Sequence, residues 1–335
     1  MKKLRIIPLL ILLLGLPAVV RGAAAPVRVN IGAASASSSM LSLWAAQEQG
    51  LFAKQGIDAQ LILIRGGSTL VASLVTGEIQ MAFTSGVSVL GAAAQGVEVK
   101  MLTSISSRVS WKLIANPQIQ SAAELRGKRF GVQSIVGSTW MYAMLALEQL
   151  GLEPKRDNIS FLPIGDAVTI GHSLEAGRID AAVLDPPLSR RLTSKGFSQL
   201  VDLAKTSASF PGLGVGVTRS YLDQQPAILE KVVTALTEGL AFVQLPANKP
   251  VAVKILMKHL RVTDPAVAED GYQDHLSTLN RKPYPSLDGL RSAQRLMAQQ
   301  NPKIAALKVE DLVDAGFVRR LDESGFIDRL YGGQR

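Results

Sequence analysis

Short apolar runs alternate with amphipathic stretches from Val27 to about Leu203. The runs predict strands over Val27–Ile31, Ile57–Ile64, Ile79–Phe83, Val99–Ser104, Trp111–Ala115, Arg129–Val132, Ile159–Pro163, Ile179–Leu184 and Gln199–Val201. Helical spacing fills the gaps, over Met40–Gln49, Thr69–Thr76, Thr139–Leu150 and Ala167–Ala176. Such alternation is the pattern of βαβ units and predicts mostly parallel sheets. From Gln225 onward helices dominate, over Ala227–Leu245, Val251–His259, Pro265–Leu276, Leu287–Gln299 and Val318–Leu330. Asp264-Pro265 reads as an N-cap followed by the first helical residue, and Ser121 with Glu124 has capping-box spacing.

One unit occurs twice. "LVASLVTGEIQMAF" (Leu70–Phe83) is similar to "IGHSLEAGRIDAAV" (Ile170–Val183), with Gly77, Ile79 and Ala82 matched by Gly177, Ile179 and Ala182, 100 residues apart. Each copy reads as a helix closed by a left-handed glycine and followed directly by a buried strand. Two lobes of similar build follow from such a repeat.

The strand ends repeat as well. "IRGGSTL" and "IVGSTW" both run strand, Gly, Ser, Thr, helix. Ligands of open α/β sheets bind beyond the carboxyl ends of the strands, where helix N-termini offer free N–H groups. Gly67 and Gly137 allow close backbone approach. Ser68, Thr69, Ser138 and Thr139 carry hydroxyls that either bind a ligand or cap their own helices. Ser35, Ser37 and Ser38 after the first strand, and Thr84 and Ser85 after the third, fall at the same kind of place. Trp140 stands beside Ser138, as core packing or as an apolar wall for a ligand.

The first residues change what the charge means. Lys2, Lys3 and Arg5 precede an apolar run from Ile6 to Val20, and small residues follow at Gly22–Ala25. This is the three-part pattern of a cleaved secretion signal, placed at residues 1–24, and it predicts a periplasmic protein. The leader holds four basic residues and no acidic one, so the formal charge of +9 falls to +5 without it. The remaining basic residues are scattered, which argues against nucleic acid as a partner. With no cysteine in the chain, disulfides, thiolate metal sites, thiol nucleophiles and a lipid anchor on cysteine are all excluded. About 310 residues remain, enough for two lobes.

Three segments in order resemble the solute-binding proteins of ABC importers for nitrate, taurine and aliphatic sulfonates, with the related thiamine-pyrimidine binders. They are "LWAAQEQGLFAKQGIDAQLILIRGGSTLVASLVTGEIQMAFTSG" (Leu43–Gly86), "SAAELRGKRFGVQSIVGSTWMYAMLALEQLGLEP" (Ser121–Pro154) and "LEAGRIDAAVLDPP" (Leu174–Pro187). The resemblance is good over Val27–Val217. It implies an α/β periplasmic-binding-protein fold, with two βαβ lobes, a hinge and extra C-terminal helices. The implied division is residues 26–109 for the first part of lobe one, 111–208 for lobe two, and 212–335 for the return to lobe one and the C-terminal helices. The implied crossings lie near Ser110–Lys112 and Ser209–Gly212. It further implies a monomer that captures a small-molecule ligand, an anionic organic solute of sulfonate-, nitrate- or pyrimidine-like kind, in the cleft between the lobes, works with an ABC permease in the inner membrane, and has neither cofactor nor catalysis. The family often has an acidic residue and an aromatic before "PP". Here "VLDPP" keeps Asp185 and lacks the aromatic. Asp185 either binds an amine on the ligand or caps the helix opened by Pro186 and Pro187.

An enzyme of the same fold is the rival reading, with a sensory ligand-binding protein as a third. The resembling pyrimidine synthases rely on a cysteine-rich motif and desulfinase relatives on a cysteine nucleophile, which this chain lacks. His172, His259 and His275 have no metal-ligand spacing, and His259 and His275 are expected on outer helix faces. Only His172 falls near the expected cleft. Arg65, before "GGS", and Arg108 are candidate charges for an anion, or solvated surface residues. Trp44 reads as core, and Trp111 falls at a crossing.

Overall fold

The computed structural model describes residues 25–33, 36–64, 67–135, 137–206 and 209–333. The leader, Ser35, Arg65 and the side chain of Ser68 lie outside the described residues.

The first strand-and-helix series is β1 (Val27–Ala33), a 3-10 turn at Ser38–Met40, α1 (Leu41–Glu48), α2 (Leu51–Lys54), β2 (Ile57–Leu63), α3 (Gly67–Val75), β3 (Met81–Ser85), α4 (Gly86–Ala93) and β4 (Val99–Met101). The second is β5 (Lys112–Ala115), β6 (Arg129–Val132), α5 (Ser138–Gln149), β7 (Ser160–Pro163), α6 (Ala167–Glu175), β8 (Ala181–Leu184), α7 (Pro186–Ser194) and β9 (Ser198–Asp202). The chain then returns through β10 (Leu213–Thr218) and continues as α8 (Arg219–Gln224), α9 (Pro226–Gln244), α10 (Lys249–Leu260), α11 (Pro265–Leu276), α12 (Leu287–Met297), α13 (Gly316–Glu323) and α14 (Phe326–Leu330).

Two five-stranded sheets result, in the orders β2-β1-β3-β10-β4 and β7-β6-β8-β5-β9. The orders are the same once β1 is matched to β6, and β10 to β5. Each sheet has one reversed strand. β10 pairs antiparallel with β3 and β4, and β5 pairs antiparallel with β8 and β9. The expectation of mostly parallel sheets therefore needs this correction: the first strand after each crossing runs against its neighbours. No βαβ unit delivers these two strands, so no right-handed crossover constrains their direction. β10 was not expected as a strand at all. Its sequence, LGVGVT, is diluted by two glycines, yet Gly214 has a physical reason, because a Cβ there would overlap the Thr103 carbonyl.

The repeat is carried into packing. Gly77 and Gly177 have φ of +78° and +67°, the left-handed turn that ends α3 and α6 before β3 and β8. A Cβ on Gly32 in β1 would press on Ile79, Leu70 and Ile64, and one on Gly131 in β6 would press on Ile179, Ile170 and Ile164. The three partners are offset by 100 residues each, so helix, sheet and glycine lock together in the same way twice.

The C-terminal helices build onto the first sheet. α9 packs on α1, where a Cβ on Gly239 would collide with Ser42 and Ala46, and its Leu229, Val232, Val233, Leu236 and Leu240 are fully buried. The single helix expected over Val318–Leu330 is two, α13 and α14, because Gly325 turns left-handed between them at φ +70°. The Asp264 cap of α11 is present, its carboxylate accepting from Ala266 N–H at 2.9 Å. Ser121 and Glu124 form their capping box on a single 3-10 turn at Ala122–Leu125. Among the described residues no helix is long and apolar enough to cross a membrane.

Both crossings are tied down where they leave the first sheet. Ile105 O accepts from Asn280 N–H at 2.8 Å, and Ser107 O accepts from Phe210 N–H at 3.0 Å. Trp111 on the outward crossing, Tyr142 of α5 and Phe210 on the return form a ring cluster with centroids 5.0 and 4.7 Å apart. α12 lies against the same place, with Gly289 so close to the Phe210–Pro211 backbone that a side chain would clash.

Candidate functional site

Matched topology picks out which strand ends of the two sheets correspond. β1 and β3 are inner strands of one sheet, and β6 and β8 are their counterparts in the other. The segments leaving their carboxyl ends are Ser37–Met40, Ser85–Gly86, Gly137–Ser138 and Asp185–Pro186. Ser85 is the N-cap residue of α4, but its side chain makes no capping bond. Its Oγ lies instead 2.8 Å from Ser138 Oγ, in the first turn of α5. The cap position of α5 is Gly137, which has no side chain to cap with. These two hydroxyls thus join elements of the two sheets rather than closing their own helices.

Gly86 shows why the segment after β3 is tight. Its N–H donates to Pro211 O at 3.0 Å on the return crossing, and a Cβ there would collide with Pro211 and Leu290. The N-termini of α4 and α5 consequently meet beside the return crossing. First-turn amides have no partner within a helix, and both macrodipoles present their positive ends. One proton of the Ser85–Ser138 pair is spent between the two oxygens, and the other remains to be donated to an acceptor.

The other two segments meet through α11. A Cβ on Gly271 would lie 3.4 Å from Ser38 Cβ, so α11 backs the turn after β1. α11 also packs on α7, where Arg190 reaches Asp270 at 3.1 Å and Asp274 at 3.1 Å. Asp185 caps α7, its Oδ1 accepting from Leu188 N–H at 3.0 Å. Burial pushes the Asp185 carboxyl up to about 6. The Leu188 N–H works against that rise, and the Asp274 charge adds to it. Burial also raises the Asp274 carboxyl, against the pull of Arg190.

The family model described as NMT1/THI5 like matches residues 37–248. The chain belongs to that family. The match begins at Ser37 and runs through both crossings and α9, so the rim segments fall inside it and α11 falls outside. A binding protein of Brucella abortus is 27% identical over 266 residues, covering 78% of this chain and 80% of its own. The riboflavin-binding protein RibY of Chloroflexus aurantiacus is 26% identical over 205 residues, covering 59% and 57%. The alkanesulfonate-binding protein SsuA of Xanthomonas axonopodis pv. citri, solved with MOPS bound, superposes with a TM-score of 0.69 at 20% identity, covering 87% of this chain and 99% of that one. This NMT1/THI5-like chain has the fold and the relatives of a solute-binding protein.

The residues singled out in the sequence are placed as follows. Ser85, Ser138 and Gly137 lie at the junction of the two sheets, with Thr84 buried just before Ser85 in β3. Ser38 packs against α11 and Asp185 caps α7, which also packs on α11, and Ser37 Oγ is 2.6 Å from Ser39 Oγ in the turn after β1. Thr139 is turned inward, its Oγ1 accepting from Gln133 N–H at 2.8 Å, which closes the loop before α5. Trp140 is 1% exposed and meets Phe161 edge-on at 6.1 Å in the second lobe's core. Gly67 opens α3 after β2, an edge strand, and lies against Ser88 of α4. The likeness of "IRGGSTL" to "IVGSTW" is therefore not topological, since the counterpart of the β2 end is the β7 end at Pro163–Asp166.

Among the histidines, the expectation of an outer face for His275 is wrong. It lies on the buried stripe of α11 with Ala268, Gly271 and Tyr272, its Nε2 is 3.4 Å from Ser42 Oγ, and burial lowers it to about 4. His172 is on the outer side of α6, 3.3 Å from Glu175 and well exposed, so it does not serve the cleft. His259 stacks on Trp44 at 4.6 Å and pairs with Glu48. Arg108 is exposed. Sequence reasoning missed Arg190, Asp270 and Asp274. The i, i+4 spacing of the two aspartates was the only signal, and it does not say what crosses to meet them.

Proposed function

We propose that this protein is a periplasmic solute-binding component of an importer, which closes its two lobes on a small organic molecule and presents it to a permease in the inner membrane. The observation that carries the reading is the meeting of Ser85 and Ser138, one from each lobe, at the N-termini of α4 and α5. A ligand group with lone pairs, such as a carboxylate, sulfonate or ring carbonyl, accepts from the remaining hydroxyl proton and from first-turn amides. Few full positive charges are needed, because desolvated dipoles oriented in advance do the work. Family membership and the fold shared with SsuA support binding over catalysis. Among the described residues no His, Cys, Asp and Glu group is arranged to hold a metal ion.

A second reading rests on Asp185, whose desolvated carboxyl suits a protonated nitrogen on the same ligand.

The test is a thermal-shift panel of sulfonates, nitrate, pyrimidines, flavins and aromatic acids, followed by calorimetry on the best binder. Ser85→Ala and Ser138→Ala are expected to weaken an acceptor-bearing ligand by about 1–3 kcal/mol each, and Ser292→Ala on α12 to leave it unchanged. If both rim variants bind like Ser292→Ala with unaltered folding, the ligand is not held at this junction.

A further inference from the structure

We infer that Arg190 is the residue that holds the lobes in their closed relation, acting as an electrostatic latch that needs no ligand. Its guanidinium leaves α7 of the second lobe and meets two carboxylates on α11, a helix of the first, at 3.1 Å each (Nε to Asp270 Oδ2 and Nη2 to Asp274 Oδ2). The aspartates are one helical turn apart and present a ready-made pair of acceptors to the planar fork. An isolated surface pair contributes little. This one differs in two ways. Asp274 is partly withdrawn from solvent, at 23% exposure, whereas Arg190 and Asp270 are exposed at 40% and 54%. A third carboxyl, Asp185 of the second lobe, repels Asp274 and raises the cost of approach.

The remaining charges at this contact do not replace Arg190. Lys112 of β5 acts on Asp274 from a distance and is 3.9 Å from Asp202. Arg191 is turned to Glu175 of α6 at 3.6 Å. Without the Arg190 guanidinium, the closed arrangement keeps Asp185 of one lobe near Asp274 of the other, with only the more distant charges of Arg191 and Lys112 set against their repulsion. The helix that supplies both aspartates lies outside the span matched by the family model, while Arg190 lies inside it. The consequence of the latch for uptake is a ligand-free protein that spends much of its time closed, with release set by how easily the latch parts.

The latch extends the two-lobe reading of the function but is measured with no ligand present, so its failure is separate from a failure to bind solute. The chain has no cysteine, and Thr76→Cys with Arg178→Cys places one spin label at the far end of each lobe. Pulsed electron resonance on the ligand-free protein then reads the interlobe distance distribution. Arg190→Gln is expected to raise the ratio of long to short distances about three- to tenfold, and 1 M NaCl is expected to move the unaltered protein the same way. Arg291→Gln, which breaks a pair with Glu310 inside the C-terminal region, is expected to do neither. The charge-swapped Arg190→Asp, Asp270→Arg, Asp274→Arg protein is expected to return toward the original distribution. Circular dichroism confirms that each variant is folded. An Arg190→Gln distribution equal to that of the unaltered protein overturns the latch, and so does a folded charge swap that stays as open as Arg190→Gln.

Discussion

Asp185→Asn should make this protein more stable at neutral pH, although it removes a charge from a helix cap. Asparagine caps as well as aspartate, so the bond from Leu188 N–H is kept. What disappears is a carboxylate that burial and Asp274 hold at about 6, against an ordinary 3.8. That difference corresponds to about 3 kcal/mol between the two protonation states. The residue retains some surface, and the lost charge also favoured the α7 dipole, so a net gain of about 1–2 kcal/mol is expected. The sign is set by linkage. A carboxyl raised in the folded state keeps its proton after the unfolded chain has lost it, so stability falls as pH rises from about 4 to about 6. The advantage of Asp185→Asn should therefore be small at pH 4, grow through that window and level off above it. Calorimetric melts from pH 4 to 8 should show a Tm gain of roughly 2–6 °C at pH 7.5. Asp166→Asn, at the exposed cap of α6, serves as the comparison. A Tm difference that is negative at pH 7.5, or constant with pH, refutes the claim that the Asp185 carboxyl is desolvated.

Thr139→Ala should cost roughly 1–3 kcal/mol by leaving the Gln133 N–H without its acceptor, while Thr139→Ser should recover most of it; urea unfolding at matched m-values decides. His275 works in the opposite pH sense to Asp185. Its folded value of about 4 lies below the ordinary 6.5, so its neutral form contributes stability that is complete above 6.5 and is lost as pH falls toward 4. His275→Gln should flatten that part of the stability profile, and an unchanged acid slope would show that His275 is not buried as a neutral ring. Gly214→Ala should lower stability by roughly 2–4 kcal/mol, because the Thr103 backbone cannot retreat from a Cβ on β10; a melt within 1 °C of the unaltered protein would show that the strands part easily there.

Much of the architecture is written in short-range signals. Alternating strand and helix patterns, the left-handed glycines at 77 and 177, and the caps at Asp264 and Ser121 are each settled within a few residues. The repeat goes further, because Ile64, Leu70 and Ile79 recur as Ile164, Ile170 and Ile179 around two equivalent glycines. A sequence can show such spacing because the same packing problem was solved twice in the same order.

Other features needed the tertiary structure. Nothing local gives the direction of β5 and β10, which depends on how the chain enters each sheet after a crossing. Nothing local separates Gly137-Ser138, on an inner strand end, from Gly67-Ser68, on an edge strand end, since both read as glycine before a hydroxyl. Thr139 looks as available as Ser138 until the loop closes on it. The role of α11 is the clearest case. Its amphipathic spacing shows a helix with one buried face, but the partner of that face is far away in sequence. Only folding puts His275 against Ser42 and brings Arg190 to Asp270 and Asp274. A periodicity shows that a face is covered, while the identity of the cover is a long-range contact, fixed by the geometry of two sheets rather than by the residues of the helix.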